Sequence, residues 1–391
     1  MGTIFRVDGR RHWQMQWIDE TGKRRKKSTG TTDKSVAAMV LAAEEKRVAL
    51  MRAGVIDRRT ESLVEYQSQP IQRWVDDYVA SLEMSNGANE HTVDTRSKIE
   101  KIIAHAGVTR GIDLASAHVV AYTTHRMKSE NISARTVQSY IVAIKGYSDW
   151  CRRTGRMASD PMADLRSPSP SKDRRYERRA LSREEWGYLR RAAEAGDVVK
   201  GLTGMERAVL YELALVTGLR SKEIQSLKRS SFILADPGWV LLPGANTKNA
   251  KPAEQPLTPR LSELLGEHLR RKMPGSRAFV VSKRTSLAEL VAHDMERARS
   301  EWLGEVKDVN ERAKREASDF LALKDHDGKV MDFHALRYTC GAWLALANVH
   351  AKQIQKLMRH STIRLTLDTY GHLFPEQQDA AIAALVRATA V

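Results

Sequence analysis

The chain of 391 residues is poor in the features that mark several large classes of protein. It has two cysteines, Cys151 and Cys340, too few for a disulfide framework and without the spacing of a zinc site. No stretch approaches the roughly 20 consecutive apolar residues that a spanning helix needs. The opening segment, Met-Gly-Thr-Ile-Phe-Arg-Val-Asp-Gly-Arg-Arg, lacks the apolar region of a secretory signal, so the expected location is cytoplasmic. Negative charge is in deficit as well: 48 Asp and Glu stand against 64 Lys and Arg, a formal net charge of +16. Such a surplus leaves the fold open but favours polyanionic partners, above all nucleic acid or an anionic membrane, and DNA or RNA is the expected one. What is abundant is apolar residues, 42%, beside 29% charged ones, a balance that can bury real cores. At roughly 100–200 residues per domain, the length allows two to four domains.

The positive charge is uneven. Residues 1–60 carry 14 Lys and Arg against 7 Asp and Glu, and within them Lys23, Arg24, Arg25, Lys26 and Lys27 form an unbroken run. Before that run Trp13, Met15 and Trp17 alternate with Gln14 and Gln16, the period of a strand with one apolar face. Turn residues at Asp8-Gly9 and Glu20-Thr21-Gly22 predict three short strands, at about 3–7, 11–18 and 23–29. A helix capped by Thr32 or Asp33 should follow and end at Gly54. Five consecutive cations on a strand can serve as a solvated, aggregation-resistant edge. The neighbouring positive charge favours the alternative, a small sheet laid on a phosphate backbone or in a groove.

From about residue 70 to 166 the pattern is helical throughout. Ile71, Trp74, Val75, Tyr78, Val79 and Leu82 recur at helical spacing up to Asn86-Gly87. Further helices are expected over Glu90 to Ala106, over Ala115 to Lys128, and from Ser133 toward Gly155. The last carries Val137, Tyr140, Ile141, Ile144, Tyr147 and Trp150, a stripe better suited to a core than to a nucleic-acid platform. Four helices with short connections make a bundle. A Pro/Ser stretch running into cations, Ser167 to Arg175, then reads as an interdomain linker. The capping-box pattern Ser182-Arg183-Glu184-Glu185 opens the next domain.

That last domain holds the residues with chemistry. In Thr217-Gly218-Leu219-Arg220-Ser221-Lys222-Glu223, Gly218 ends one helix and Ser221 starts another, so Arg220 lies at a junction where backbone N–H groups favour an anion. A hairpin follows, with strands at Phe232-Ile233-Leu234 and Trp239–Leu242 around Asp236-Pro237-Gly238. Lys248 then lies in a loop before a third strand ending at Leu257. His334 and Arg337, three apart, share a helical face, while Ala335 and Leu336 turn to the core. His360 is followed ten residues later by Tyr370. A zinc reading of His334, His360 and His372 fails on spacing, and arginines stand where ligands would be expected.

Taken together, Arg220, Lys248, His334-x-x-Arg337, His360 and Tyr370 resemble the active-site series of the tyrosine recombinase (phage integrase) family in order, interval and setting. The four-helix segment is similar to the family's core-binding domain, and the N-terminal residues to the arm-binding domain of integrases from mobile elements. The resemblance implies a multidomain, mainly α protein with small β-sheets. Its parts are an arm-binding-like sheet and helix over 1–58, a helical core-binding domain over 68–166, a linker over 167–178 and a mixed α+β catalytic domain over 179–391. Two departures stand out: Arg359 replaces the glycine that commonly precedes the second histidine, and Tyr338 stands where a histidine often follows the second arginine. A charged insert, residues 299–330, is longer than the family pattern, and Glu311 to Glu316 reads as a solvated helix.

The resemblance implies a site-specific recombinase in which Tyr370 attacks a DNA phosphate. Arg220 and Arg337 would hold the non-bridging oxygens, Lys248 would protonate the leaving 5′-oxygen, His334 would assist proton transfer and His360 would hydrogen-bond the phosphate. It implies no cofactor and no metal, in keeping with a sequence without an ATPase-type Gly-rich loop or a carboxylate cluster for magnesium. The partners implied are double-stranded DNA at crossover and arm sites, a homotetramer on DNA, and DNA-bending or directionality proteins. Location would be cytoplasmic, with the nucleoid. Lys23 to Lys27, Arg174 and Arg175 are the candidate DNA-binding cations, and Glu376 to Arg387, with Ile382 and Leu385, could dock on a neighbouring protomer. A type IB topoisomerase-like enzyme and a catalytically silent DNA-binding regulator are the competing classes. The first leaves the basic N-terminal module without a purpose, and the second leaves Tyr370 and the two arginines unexplained.

Overall fold

In the computed structural model, residues 2–55, 63, 66, 69–86, 89–169, 173, 175–246, 251–281, 286–375 and 386 are described. They form two compact units, divided between Arg175 and Tyr176. No described helix is long and apolar enough to cross a membrane.

The first unit opens with an antiparallel sheet of β1 (Thr3–Phe5), β2 (Gln14–Ile18) and β3 (Arg24–Ser28), followed by α1 (Lys34–Arg52). Asp33 caps α1 by accepting the N–H groups of Ser35 and Val36, as the sequence predicts. Met15 and Trp17 pack against Leu41 and Val48 of that helix. Trp13 departs from the expected apolar face. It precedes the strand, and its ring lies under Arg6 and Lys34, at 5.0 and 5.9 Å. All five residues of β3 are exposed. The register pairs Arg24 with Ile18 and Lys26 with Gln16, which puts those two cations on the face away from Met15 and Trp17. Arg25 pairs instead with Asp19 at 2.7 Å.

The same unit contains α2 (Ile71–Asn86), α3 (Glu90–Ala106), α4 (Ser116–Ser129) and α5 (Ala134–Arg153). These boundaries follow from caps legible in the sequence: Asn89 and Ser133 accept N–H groups at the starts of α3 and α5, and Gly107 ends α3. Trp74, Ile99, Ile102, Ile144 and Tyr147 are fully buried in one core, so the aromatic stripe of α5 is packing. Each of the three isoleucines contributes about 1.5–3 kcal/mol on burial.

The second unit is built around α7 (Gly204–Thr217), which is buried over almost its whole length and is flanked by α6 (Arg183–Glu194), α9 (Pro259–Leu269) and α12 (Phe333–Leu346). Ser182 and Glu185 form the expected capping box on α6. The short helix α8 (Ser221–Ser226) leads to a second antiparallel sheet, β4 (Phe232–Ile233), β5 (Trp239–Leu242) and β6 (Ala253–Pro256). α10 (Leu287–Gly304) packs on α6, and its Asp294 makes a fully buried bidentate pair with Arg207 of α7, closed by the Tyr211 hydroxyl. In the charged insert, α11 (Val309–Glu316) has no buried residue, in agreement with a solvated helix. The insert is nonetheless anchored: Arg315 stacks on Trp302, Arg299 donates to the carbonyls of Glu316, Ser318 and Phe320, and Leu321 is buried. The chain ends its described course through α13 (Ala351–Met358) and α14 (Ile363–Tyr370).

Candidate active site

The apolar helix α7 stops at Gly218, whose left-handed backbone (φ +58°) turns the chain where a Cβ would press on the Met358 sulfur. The turn delivers Arg220 as the cap residue of α8. The sequence places Arg220 where backbone N–H groups favour an anion, and the chain supplies one of its own, Glu223 in the first turn. Its Oε2 accepts the Arg220 backbone N–H at 2.7 Å, and its Oε1 accepts the Arg220 guanidinium at 2.9 Å.

α12 brings in the next pair. Asp332 caps the helix by accepting the Ala335 N–H at 2.8 Å, and Arg178 grips the same carboxylate with two hydrogen bonds of 2.8 and 2.9 Å. The Tyr176 hydroxyl adds a third at 3.0 Å. Burial opposes ionisation of Asp332, but Arg178 and these donors hold its pKa below the usual carboxylate range. The start of α12 is thereby tied to the first residues of the second unit. Arg337, one turn along, is 4% exposed and donates to the carbonyls of Gly218 and Met358. Burial first, then the charges of Arg220 and Arg359, lower its pKa to about 10, which leaves it charged at neutral pH. His334 is pushed down to about 4 by burial, then by Arg178 and Arg337, and is neutral.

α13 ends on Arg359 in the left-handed conformation (φ +52°). This explains why glycine is common at this place in the family pattern: the backbone conformation suits it. His360 follows, with its backbone N–H donated to Gln355 and its Nδ1 hydrogen-bonded to Thr366 at 2.9 Å. Its pKa is likewise lowered to about 4, by burial and then by the arginines. The imidazole lies nearly parallel to the Tyr370 ring, 6.2 Å between centroids. Tyr370, at the end of α14, is 2% exposed. Its ring rests on α12 at Gly341, where any Cβ would overlap it, and beside Tyr338 at 5.5 Å. Burial raises its pKa and Arg337 only partly offsets this, so the hydroxyl is protonated at neutral pH.

Five of the six candidate residues, Arg220, His334, Arg337, His360 and Tyr370, are thus gathered around the Gly218 turn. Lys248 lies outside the described residues, as do Arg174 and the segment Glu376 to Arg387 apart from Val386. Arg175 is engaged within its own unit, by Asp173 at 2.5 Å and by the Asn131 carbonyl and side chain. Lys23 and β3 remain exposed in the N-terminal sheet. Among the described residues no three His, Cys, Asp or Glu side chains are grouped to hold a metal ion. Sequence reasoning missed Glu223, Gly341 and the Arg178–Asp332 clamp, and took Arg359 only as a departure from the family pattern. Glu223 had a legible signal, the three-residue spacing of a capping box, whereas the clamp joins residues far apart in the chain and had none.

This arrangement presents fixed guanidinium forks, neutral imidazoles and a phenol within one cluster, a set suited to a phosphodiester. Known proteins agree. A family model described as the phage integrase family matches residues 189–377. Tyrosine recombinase XerC of Neisseria meningitidis serogroup C (strain 053442) is 24% identical over 292 residues, covering 72% of this chain and 85% of the relative. XerC of Xylella fastidiosa (strain M23) is 27% identical over 189 residues, covering 46% and 58%. Among solved structures, a lambda integrase dimer bound to a COC′ core site shares the fold with a TM-score of 0.55 and 16% identity, covering 94% of each chain. The Tn1549 transposon integrase in complex with a circular intermediate DNA gives 0.55 and 14%, covering 82% of this chain and 100% of that one. Residues 189–377 form a phage integrase family domain, and the chain is similar to tyrosine recombinases over 72% of its length.

Proposed function

We propose that the protein is the integrase of a phage or another mobile element, which cleaves and rejoins duplex DNA through a covalent 3′-phosphotyrosine. Tyr370 gives up its proton, through the neutral His334 to water, as its oxygen attacks the scissile phosphorus. The bond from phosphorus to the 5′-oxygen breaks, and the departing oxygen takes a proton from Lys248. Arg220 and Arg337 hold the two non-bridging oxygens, on which charge grows in the transition state. His334 assists proton transfer and His360 hydrogen-bonds the phosphate. The phosphotyrosine conserves the bond energy, so a 5′-hydroxyl from another strand reverses the step without cofactor. Residues 1–58 bind accessory arm sites, residues 68–391 bind and cut the crossover site, and four protomers assemble on DNA with bending or directionality proteins.

The observation that carries this reading is the convergence of Arg220, His334, Arg337, His360 and Tyr370 on one turn of the chain. The cationic sheet ahead of the bundle supports the integrase reading over resolution of chromosome dimers, as does likeness to lambda integrase over 94% of the chain. The XerC relatives, matched over 72% of the chain, favour chromosomal resolution as the second reading.

The test is to express wild type and Tyr370→Phe beside the genomic DNA flanking the gene, then recover and sequence DNA covalently bound to protein. Adducts in wild type alone, at the junctions of an inserted element, are expected. Adducts at one chromosomal locus unconnected with an insertion would select the second reading. Dispersed adducts with no fixed sequence would indicate a topoisomerase-like activity, none in either a silent regulator, and equal adducts in both a different nucleophile.

A further inference from the structure

Arg359 is set apart from the other groups of the site by its connections. Its backbone occupies the left-handed region at φ +52°, which a residue with a Cβ adopts only at a cost in strain. Its side chain is 12% exposed and points back into the cluster. One nitrogen, NH2, donates to Glu223 Oε2 at 2.8 Å and to the Gly218 carbonyl at 3.2 Å. Those two acceptors are the supports of the phosphate arginines: Glu223 holds Arg220, and Gly218 holds Arg337. The Nε of Arg359 is buried with no hydrogen-bond partner among the described residues.

We infer that Arg359 is a positioning residue for phosphoryl transfer, a tie that locks the supports of Arg220 and Arg337 to each other and cancels the charge of Glu223. The inference rests on the reading of this cluster as a DNA-cleaving site. Two consequences follow from the geometry. Mechanically, Arg220 and Arg337 come from separate helices, and the tie makes their relative placement a property of one guanidinium. Electrostatically, Arg220, Arg337 and Arg359 together with Glu223 leave a formal charge of +2 where the phosphate lies, with both histidines neutral. A glycine at 359 would leave +1, since Glu223 would then act on Arg220 alone. Glu223 is nearly buried, so water screens this difference poorly.

The test uses the full-length protein and the duplex recovered by covalent capture, with single-turnover cleavage and equilibrium binding measured separately for wild type, Arg359→Gly, Arg359→Lys, Glu223→Gln and the Arg359→Gly/Glu223→Gln double variant. Arg359→Gly is expected to slow cleavage roughly tenfold while Kd stays within about twofold. Its thermal midpoint should change little, because relief of the left-handed strain offsets the partner that Glu223 loses. Arg359→Lys should recover part of the rate, keeping the charge but losing the fork. In the Glu223→Gln background, where no anion remains to be cancelled, removing Arg359 should cost less than about threefold. A wild-type cleavage rate in Arg359→Gly overturns the tie, as does a loss of rate matched by a loss of binding, or full additivity in the double variant. A wild-type protein that cannot cleave the duplex overturns the reading of the site itself, and the tie with it.

Discussion

Two regions of this molecule concentrate positive charge, and they do so in opposite ways. On β3 of the N-terminal sheet the cations are adjacent in sequence and exposed; among the described residues only Arg25 has a close carboxylate partner, Asp19. Around the Gly218 turn the arginines come from sequence positions 220, 337 and 359, are largely buried, and each is fastened to a carbonyl, a carboxylate or both. Exposed charge attracts a polyanion over a distance set by salt and leaves the orientation free. Buried and fastened charge does little at long range but is in place when charge develops in a transition state. On the proposed function the first arrangement serves binding and the second serves rate. Substitutions should separate the two quantities.

The largest separation is expected at Arg337. Lysine there keeps a positive charge but cannot donate to both Gly218 and Met358 while presenting a fork to phosphate oxygens. Arg337→Lys should lower single-turnover cleavage of the captured duplex by about 10²–10³, the range for losing one preorganised donor at a developing anion. Kd should change by less than about threefold. A variant that loses binding and cleavage in equal measure would place Arg337 with the surface cations and erase the distinction.

A smaller effect is expected from pH. Both His334 and His360 have pKa values near 4 in the folded protein, through burial followed by neighbouring arginines, against an ordinary value near 6.5. Between those values the unfolded chain binds more protons than the folded one. Stability should therefore fall as pH drops from about 6.5 to 4 and be insensitive to these groups above 6.5. Replacing either histidine with Gln should flatten that slope in thermal melts. For the same reason kcat/KM, which reports the free enzyme, should hold through pH 6 and decline with an apparent pKa well below 6.5. An inflection at the ordinary histidine value would mean that the buried arginines do not set the state of the imidazoles.

The contrast also accounts for how much of the protein can be read from its sequence. The strands, α1, the four-helix bundle and the Gly218–Arg220 junction are specified locally, by alternation, by caps such as Asp33, Asn89 and Ser133, and by single glycines. The exposed cations of β3 are legible for the same reason, being consecutive. Roles at the buried site follow from family resemblance once Arg220, His334, Arg337, His360 and Tyr370 fall into order. What holds those residues was not legible. Arg178 meets Asp332 and Arg359 meets Glu223 across more than a hundred positions of chain, and no short-range period encodes such pairs. Nothing local marks Gly341 as the seat of the Tyr370 ring. Even the anion expected at the start of α8 proved to be the chain's own Glu223, a side-chain orientation that spacing permits but does not fix.

The smallest expected effects lie on β3, and they test whether its cations act alone or as a built surface. Arg24 and Lys26 lie on the face away from α1, whereas Arg25 is held by Asp19, a buried carboxylate whose pKa is well below the usual range through Thr21 and Arg25. Replacing Arg24 and Lys26 with Gln should reduce the slope of log K against log salt by about 0.9 for each cation that meets a phosphate, measured by anisotropy on a short duplex of unrelated sequence. Cleavage at saturating DNA and the thermal midpoint should both be unchanged. Arg25→Gln should do the reverse: a smaller change in slope, because that charge is already shared with Asp19, and a lower midpoint, because Asp19 loses a partner. Equal slopes for all three substitutions would mean that the sheet offers undirected charge. Unequal slopes in the stated order would mean that the register of β2 and β3 decides which cations reach the backbone of DNA.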